Sequence, residues 1–364
     1  MEDLVNPWKG RRVFLTGHTG FKGGWLALWL AARGAQIRGY ALDPDSEPSL
    51  WTAASVASVL EDTRGDIRDY ARLEASIAEF RPDVVFHLAA QPLVRRSYVA
   101  PLETYSTNVI GTANVLEGVR KTSSVRAVVC ATSDKCYLNL ETDRAHCEND
   151  PLGGHDPYSS SKACAEIVAA AYRSSFFPVD RLAEHGVAVA TVRAGNVIGG
   201  GDWSEDRLIP DLIRGFQSGR QVLIRHPKAI RPWQHVLEPL YGYLLLAEQL
   251  LETRRECASA FNFGPEDGGT WPVERIAEKL SGLWGDGASW TCTNSADGHA
   301  RPMHETPVLM LDSTKAHAAL DWRPRLQIET ALEWTMAWYR AWLQGADMQQ
   351  KTLDQIEAYE GMRA

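Results

Sequence analysis

Thr16-Gly17-His18-Thr19-Gly20-Phe21-Lys22-Gly23 follows the apolar run Val13-Phe14-Leu15 and leads into a stretch rich in Trp, Leu and Ala up to Ala32. A short apolar run, a glycine turn and then helical periodicity is the pattern of a strand feeding a helix. Gly17 permits a tight turn, Gly20 lets the backbone approach a pyrophosphate, and Gly23 lets the helix pack close to the strand. Phe21 opens the helix, whose first N–H groups then face the phosphates. An ordinary turn would use the same glycines, so the reading depends on what lies downstream. His18 places a side chain where the backbone should approach a cofactor, which predicts weak retention; Lys22 is free to point to solvent.

Further strands are expected at Gln36–Ala41, Val84–Leu88, Ala127–Ala131 and Val187–Val192, with helices at Gly23–Ala32, Tyr70–Phe80, Thr104–Arg120 and Pro157–Phe177. This alternation predicts an α/β fold, a Rossmann-type doubly wound parallel sheet with ligands at the carboxyl ends of its strands. Asp43, at the end of the second strand and twenty residues after Gly23, can accept hydrogen bonds from a ribose diol. It would repel a 2′-phosphate, so NAD is favoured over NADP. Asp66-Ile67 and Leu88-Ala89-Ala90 close later strands and are candidates to flank the adenine and the central phosphates.

After about Gly195 the pattern changes to short helices and isolated strands such as Gln221–Ile224. We expect a dinucleotide domain over residues 1–195 and a smaller C-terminal substrate-binding lobe over 196–364, with about 229–255, including a helix at Tyr241–Leu251, returning to the first. Trp334, Trp338 and Trp342 recur every four residues, the spacing of a core-facing helical stripe.

The chain of 364 residues carries a net charge of −8, which argues against general nucleic-acid or membrane-surface binding. Anionic ligands would need local cations, with Arg95, Arg96, Arg193, Arg207 and Arg231 as candidates. Six cysteines show neither a C-x-x-C pair nor zinc-like spacing with His, so no metal site is expected and a reducing, cytoplasmic setting is. No apolar stretch reaches membrane-spanning length.

The chemistry lies in Ser133-Asp134-Lys135 and in Tyr158 and Lys162, four residues apart. Residues at that spacing share one helix face. An ammonium beside the phenol would lower its pKa and favour a phenolate able to take a proton from a sugar hydroxyl. Asp134 and Lys135 add an acid and a second titratable group, more than alcohol oxidation needs.

Together the motifs T-G-x-x-G-F-x-G at Thr16–Gly23, H-L-A-A at His87–Ala90 and Y-x-x-x-K at Tyr158–Lys162 resemble the extended short-chain dehydrogenase/reductase superfamily. Within it the chain is similar to the nucleotide-sugar 4,6-dehydratases, most of all the branch acting on CDP-glucose. That narrower likeness rests on Thr132–Tyr137, Asn196–Trp203, Asp206–Pro210 and Arg231–Val236. The resemblance implies an internal redox cycle that turns a nucleotide diphosphate-glucose into its 4-keto-6-deoxy form without net use of NAD. It implies Tyr158, Ser133 and Lys162 at the 4-hydroxyl and Asp134 as acid for the departing 6-hydroxyl. It also implies Gln91 and Ser97 at the sugar, Asn196 and Arg231 at the diphosphate, and Arg207, Leu208 and Arg301 at the nucleotide. Lys135 stands where dTDP-glucose relatives place a glutamate base, so a coupled Asp134–Lys135 relay is the expectation for the C5 proton. A 4-epimerase, a dTDP- or GDP-sugar dehydratase and a catalytically silent NAD-binding regulator are the competing readings. The resemblance further suggests a homodimer through the Thr104–Arg120 and Pro157–Phe177 helices.

Overall fold

A computed structural model describes residues 6–138, 144–252, 255–266, 269–292 and 309–362. Its largest unit is a seven-stranded, wholly parallel sheet. The strands are β1 (Arg12–Thr16), β2 (Gln36–Ala41), β3 (Glu61–Arg64), β4 (Val84–His87), β5 (Ala127–Ala131), β6 (Ala188–Ala194) and β10 (Ala260–Phe263), in the order β10-β6-β5-β4-β1-β2-β3. The expected doubly wound parallel sheet is therefore present.

Alternation along each strand divides the core between the two faces. Val13 and Leu15 of β1, Val84 and Phe86 of β4 and Val129 of β5 join one apolar cluster, which includes the helices Phe21–Ala32 and Leu237–Leu251. Phe14, Val85 and Val128 point the other way, among side chains of the helices Tyr70–Phe80 and Gly111–Arg120. Both faces are covered, which is why these strands read as near-continuous apolar runs.

Several elements depart from the sequence reading. β3, Glu-Asp-Thr-Arg, has no apolar pattern and was not expected; it is an edge strand defined by its pairing with β2. β10 is a late segment that inserts beside β6, where it buries Phe261 and Phe263. The expected helix over 104–120 begins at Pro101 and is interrupted by a π-helical turn, Ser106–Ile110. That turn directs Asn108 to the backbone of Gln91 and the hydroxyl of Ser161.

After β6 the chain leaves the large sheet at Gly195 and forms β7 (Asn196–Ile198). A Cβ at Gly195 would come 2.6 Å from Pro232 Cγ and 3.1 Å from Asp134 Oδ2, so only glycine fits this exit without displacement. β8 (Val222–Ile224), β9 (Ile230–His235), β11 (Thr270–Pro272) and β12 (Trp290–Cys292) complete two small sheets, β11-β9-β7 and β12-β8. The tryptophan stripe lies on the helix Ile328–Leu343, where Trp338 is fully buried and Trp203 packs edge-on against Trp338 and Trp342. No described helix is long and apolar enough to cross a membrane.

Candidate active site

The order of strands reverses between β1 and β4, the place where a doubly wound sheet opens a crevice. Gly17 turns the chain there with φ +79°, and a Cβ on it would lie 2.7 Å from Ala89 N. Gly23 lies so close to the turn that a Cβ would come within 2.1 Å of Gly17 O. Gly20 is exposed, with only Gly17 O, at 3.4 Å, near its Cβ position. No side chain caps the helix that begins at Phe21, so its first N–H groups are left for a ligand. Thr16 Oγ1 accepts from Leu88 N and Ala89 N at 3.2 Å each and so fixes the opposite lip, which continues through half-buried Ala90. An open, donor-lined floor suits a dinucleotide diphosphate. Gly23→Ala should shift this turn, weaken dinucleotide binding at least ~10-fold and destabilise the protein by about 1–3 kcal/mol. Cofactor titration and thermal unfolding would both have to be unchanged to refute this.

Asp43 is strongly exposed two residues beyond β2, with Arg64 Nη1 at 3.6 Å. Asp66 is engaged by Arg68, which holds its carboxyl below the usual range, and Ile67 is buried beneath Gly111. The His18 ring is fully buried, packed over Gly39, edge-on to Trp51 and 2.9 Å from Asp62. Lys22 points inward rather than to solvent, with its Nζ 3.4 Å from the hydroxyl of Tyr243.

At the end of β5 the chain makes a short 3₁₀ turn, Asp134–Cys136, opened by Ser133. The helix Pro157–Ser175 begins opposite, with Pro157 in its first turn and Asp156 accepting from Ser159 N. Tyr158 N donates to Ser97 Oγ at 3.1 Å, which fixes the start of that helix. The Tyr158 phenol lies close enough to Ser133 for that hydroxyl to favour its ionisation. The Ser133 hydroxyl itself donates to Asp134 Oδ1 at 2.9 Å and accepts from Lys135 N at 3.2 Å. Phenol, hydroxyl and carboxyl are therefore neighbours. Burial raises the Asp134 carboxyl above the ordinary range, and Lys135, Ser133 and Arg231 only partly oppose it. Its Oδ2 is buried without a hydrogen-bond partner. A carboxyl in that state is suited to donating a proton.

Tyr158 corrects the expectation of a ready phenolate. Burial pushes the phenol up to about 12, and the neighbouring Ser133 hydroxyl offsets only part of the rise. The Lys162 Nζ lies 3.4 Å from Ala131 O, and burial pulls the amine down to about 8. Both groups are therefore closer to neutral than a solvated pair would be.

Four side chains proposed to meet ligands are used inside the fold. Gln91 bonds Leu93 and Thr104 through its amide, so its polar atoms are occupied. Ser97 is fully buried and donates to Val94 O as well as accepting from Tyr158 N. Arg193 is not a surface cation; it pairs with Glu166 at 2.8 Å and donates to Tyr137 and Glu148 O. Arg96 pairs with Glu103. Arg207 faces the cleft, held by Asp202 at 2.9 Å and close enough to Tyr158 for its charge to be felt. Asn196 opens β7, Leu208 opens the helix Leu208–Gln217, and Arg231 is buried on β9 near Asp134. Arg301 lies outside the described residues.

Sequence reasoning missed Glu166. It lies one turn beyond Lys162 and accepts from Arg193, Thr132 and Thr191. Burial opposes its ionisation, but these donors outweigh it and hold the carboxyl low. Its i+4 spacing from Lys162 was the available signal.

A family model described as GDP-mannose 4,6 dehydratase matches residues 14–335. CDP-glucose 4,6-dehydratase of Salmonella typhimurium is 52% identical over 343 residues, covering 94% of this chain and 94% of that protein. The dTDP-glucose 4,6-dehydratase of Streptomyces antibioticus is 30% identical over 283 residues, 76% of this chain and 75% of its own. Among solved structures, MoeE5 in complex with UDP-glucose and NAD matches with a TM-score of 0.74 and 25% identity, over 91% of this chain and 99% of that one.

Proposed function

The chain belongs to the GDP-mannose 4,6 dehydratase family, and from that premise we propose that it converts CDP-D-glucose to CDP-4-keto-6-deoxy-D-glucose with NAD. The observation that carries this reading is the grouping of Tyr158 beside Ser133, whose hydroxyl bonds a buried Asp134 with a raised pKa. The turn Gly17–Gly23 would hold the NAD diphosphate, Asp43 a ribose diol, Asp66 and Ile67 the adenine side, and Tyr158 and Lys162 the nicotinamide side. NAD supplies, when bound, a hydride acceptor that also serves the return step, so none is consumed.

Each proton movement falls to a side chain of this chain. Tyr158 receives the proton of the 4-hydroxyl, relayed through Ser133. The phenol reaches the required anionic character when Lys162, turned from Ala131 O, shares its charge with it. Oxidation at C4 acidifies the C5 hydrogen, and Lys135 coupled to Asp134 removes it. Asp134, its carboxyl raised by burial, donates to the departing 6-hydroxyl. Arg207 and Arg231 supply cations for the nucleotide diphosphate. A 4-epimerase has no departing hydroxyl and no use for a protonated carboxyl in this grouping.

Incubating the protein and NAD with CDP-, dTDP-, GDP- and UDP-glucose in parallel tests the assignment. A 4-keto-6-deoxy product formed fastest from CDP-glucose is expected; a 4-epimer, or no turnover of any of the four, would overturn it. Leu102, more than 80% exposed, with Ile110 and Ile167 leaves apolar side chains uncovered on the helices expected to pair with a second copy. We place the enzyme as a homodimer through those helices, and a monomer by sedimentation would refute it. The described cysteines are all free, which suits a cytoplasmic setting; recovery from the membrane or exported fraction would contradict it.

A further inference from the structure

Lys22 is the second residue of the Phe21–Ala32 helix, inside the glycine turn. Its ammonium is directed into the protein, 3.4 Å from the Tyr243 hydroxyl and 5.6 Å from that ring's centroid. No carboxylate forms an ion pair with it among the described residues. The groups that face it come from four elements. Tyr243 lies on the Leu237–Leu251 helix and is kept a neutral phenol by burial. Arg207, just before the Leu208–Gln217 helix, and Lys162, on the Pro157–Ser175 helix, repel it, while Asp134 beyond β5 attracts it. That carboxyl is itself biased toward its neutral form.

A half-buried ammonium with two cationic neighbours and no ion-paired carboxylate among the described residues is expensive to maintain, and the usual remedy is to lose the proton. Here burial, then Arg207 and Lys162, bring the amine down to about 7. The missing negative charge is what a ligand of this cleft brings. Lys22 stands in the first turn of the helix whose N–H groups are left uncapped, near enough to Lys162, Arg207 and Asp134 for their charges to act on it.

We infer that Lys22 is the counter-charge for a diphosphate bound in the cleft, and that it takes up its proton as the diphosphate binds. The inference rests on the functional reading above, which supplies two sources of that group, the dinucleotide and the nucleotide sugar. The sign follows from linkage. Below the free amine's pKa the lysine is already charged and binding moves no proton; above it, binding draws in up to one proton, and affinity falls by up to roughly tenfold per pH unit. Lys162, at about 8, is the neighbouring amine that titrates in the same interval, so the two must be separated by substitution.

The test is calorimetric titration with NAD, and separately with CDP, in two buffers of different ionisation enthalpy at about pH 8. The wild-type protein should take up protons with at least one ligand. Lys22→Met should bind that ligand roughly tenfold more weakly and lose most of the uptake. Lys22→Arg, which stays charged, should bind with a flatter pH dependence and without that uptake. Lys162→Met should retain the Lys22 share. The ligand whose uptake disappears in Lys22→Met identifies which diphosphate is held. Unchanged affinity and uptake in Lys22→Met for both ligands would overturn the inference. Wild-type binding without proton uptake would overturn it and leave the functional reading standing; no binding of either ligand would remove both.

Discussion

Tyr158→Phe should lower turnover by roughly 10²–10⁴-fold, the usual worth of one positioned proton acceptor. The protein should remain folded and still bind NAD. The backbone of Tyr158 is held by Ser97, independently of the phenol, so the substitution removes chemistry and leaves the helix start in place. The phenol begins high, at about 12, and ligand binding has to bring it down. Activity should therefore rise with pH as the phenol loses its proton, and that alkaline limb should be missing in the residual activity of Tyr158→Phe. Wild-type kcat in the variant, measured with the protein's fold verified by circular dichroism, would remove Tyr158 from the mechanism.

Asp134→Asn should separate the two halves of the reaction. Oxidation at C4 does not need the acid, whereas loss of the 6-hydroxyl does, so elimination should slow by roughly 10²–10⁴-fold and a 4-keto-glucose nucleotide should accumulate. Borohydride trapping of the ketone would detect it. The near-isosteric amide fills the same space beside Gly195, so the change is one of proton supply rather than packing. Lys135→Met gives the complementary measurement. If the two residues form one relay, exchange of the C5 hydrogen with deuterated solvent should fall in that variant. Undiminished elimination in Asp134→Asn would exclude it as the acid, and undiminished exchange in Lys135→Met would exclude Lys135 as part of the base.

The parts of the molecule legible from sequence are those where the backbone itself is constrained. Gly17 and Gly23 have no room for a Cβ, and that requirement shows as a motif. The apolar strands β1, β4, β5 and β6 are covered on both faces, which shows as unbroken runs. β3 left no such mark because its existence depends on the neighbouring strand. Side-chain direction was the larger loss. Spacing placed His18 and Lys22 in the turn, but which one faced the cleft depended on Gly39 leaving space for an imidazole and on Asp62 waiting to bond it. The partners of Gln91, Leu93 and Thr104, were likewise not legible, since only the folded loop brings them together. The Tyr158–Lys162 spacing set both residues on one helix, but the electrostatics run the other way: burial raises the phenol and lowers the amine.

The Glu166–Arg193 pair also has a consequence for descent. Losing either partner strands a buried charge, at about 3–5 kcal/mol, whereas an apolar pair of matching volume can be neutral. A lineage can therefore leave this arrangement only by changing both positions in quick succession or by passing through a protein too unstable to be kept. Relatives should carry both residues or neither, and the single-substitution intermediates should be rare among them. Because Arg193 also reaches Tyr137 and the backbone of Glu148, the same constraint extends to the segment that follows the catalytic turn. Substrate preference can drift along this fold more easily than the scaffold beneath its proton-transfer groups.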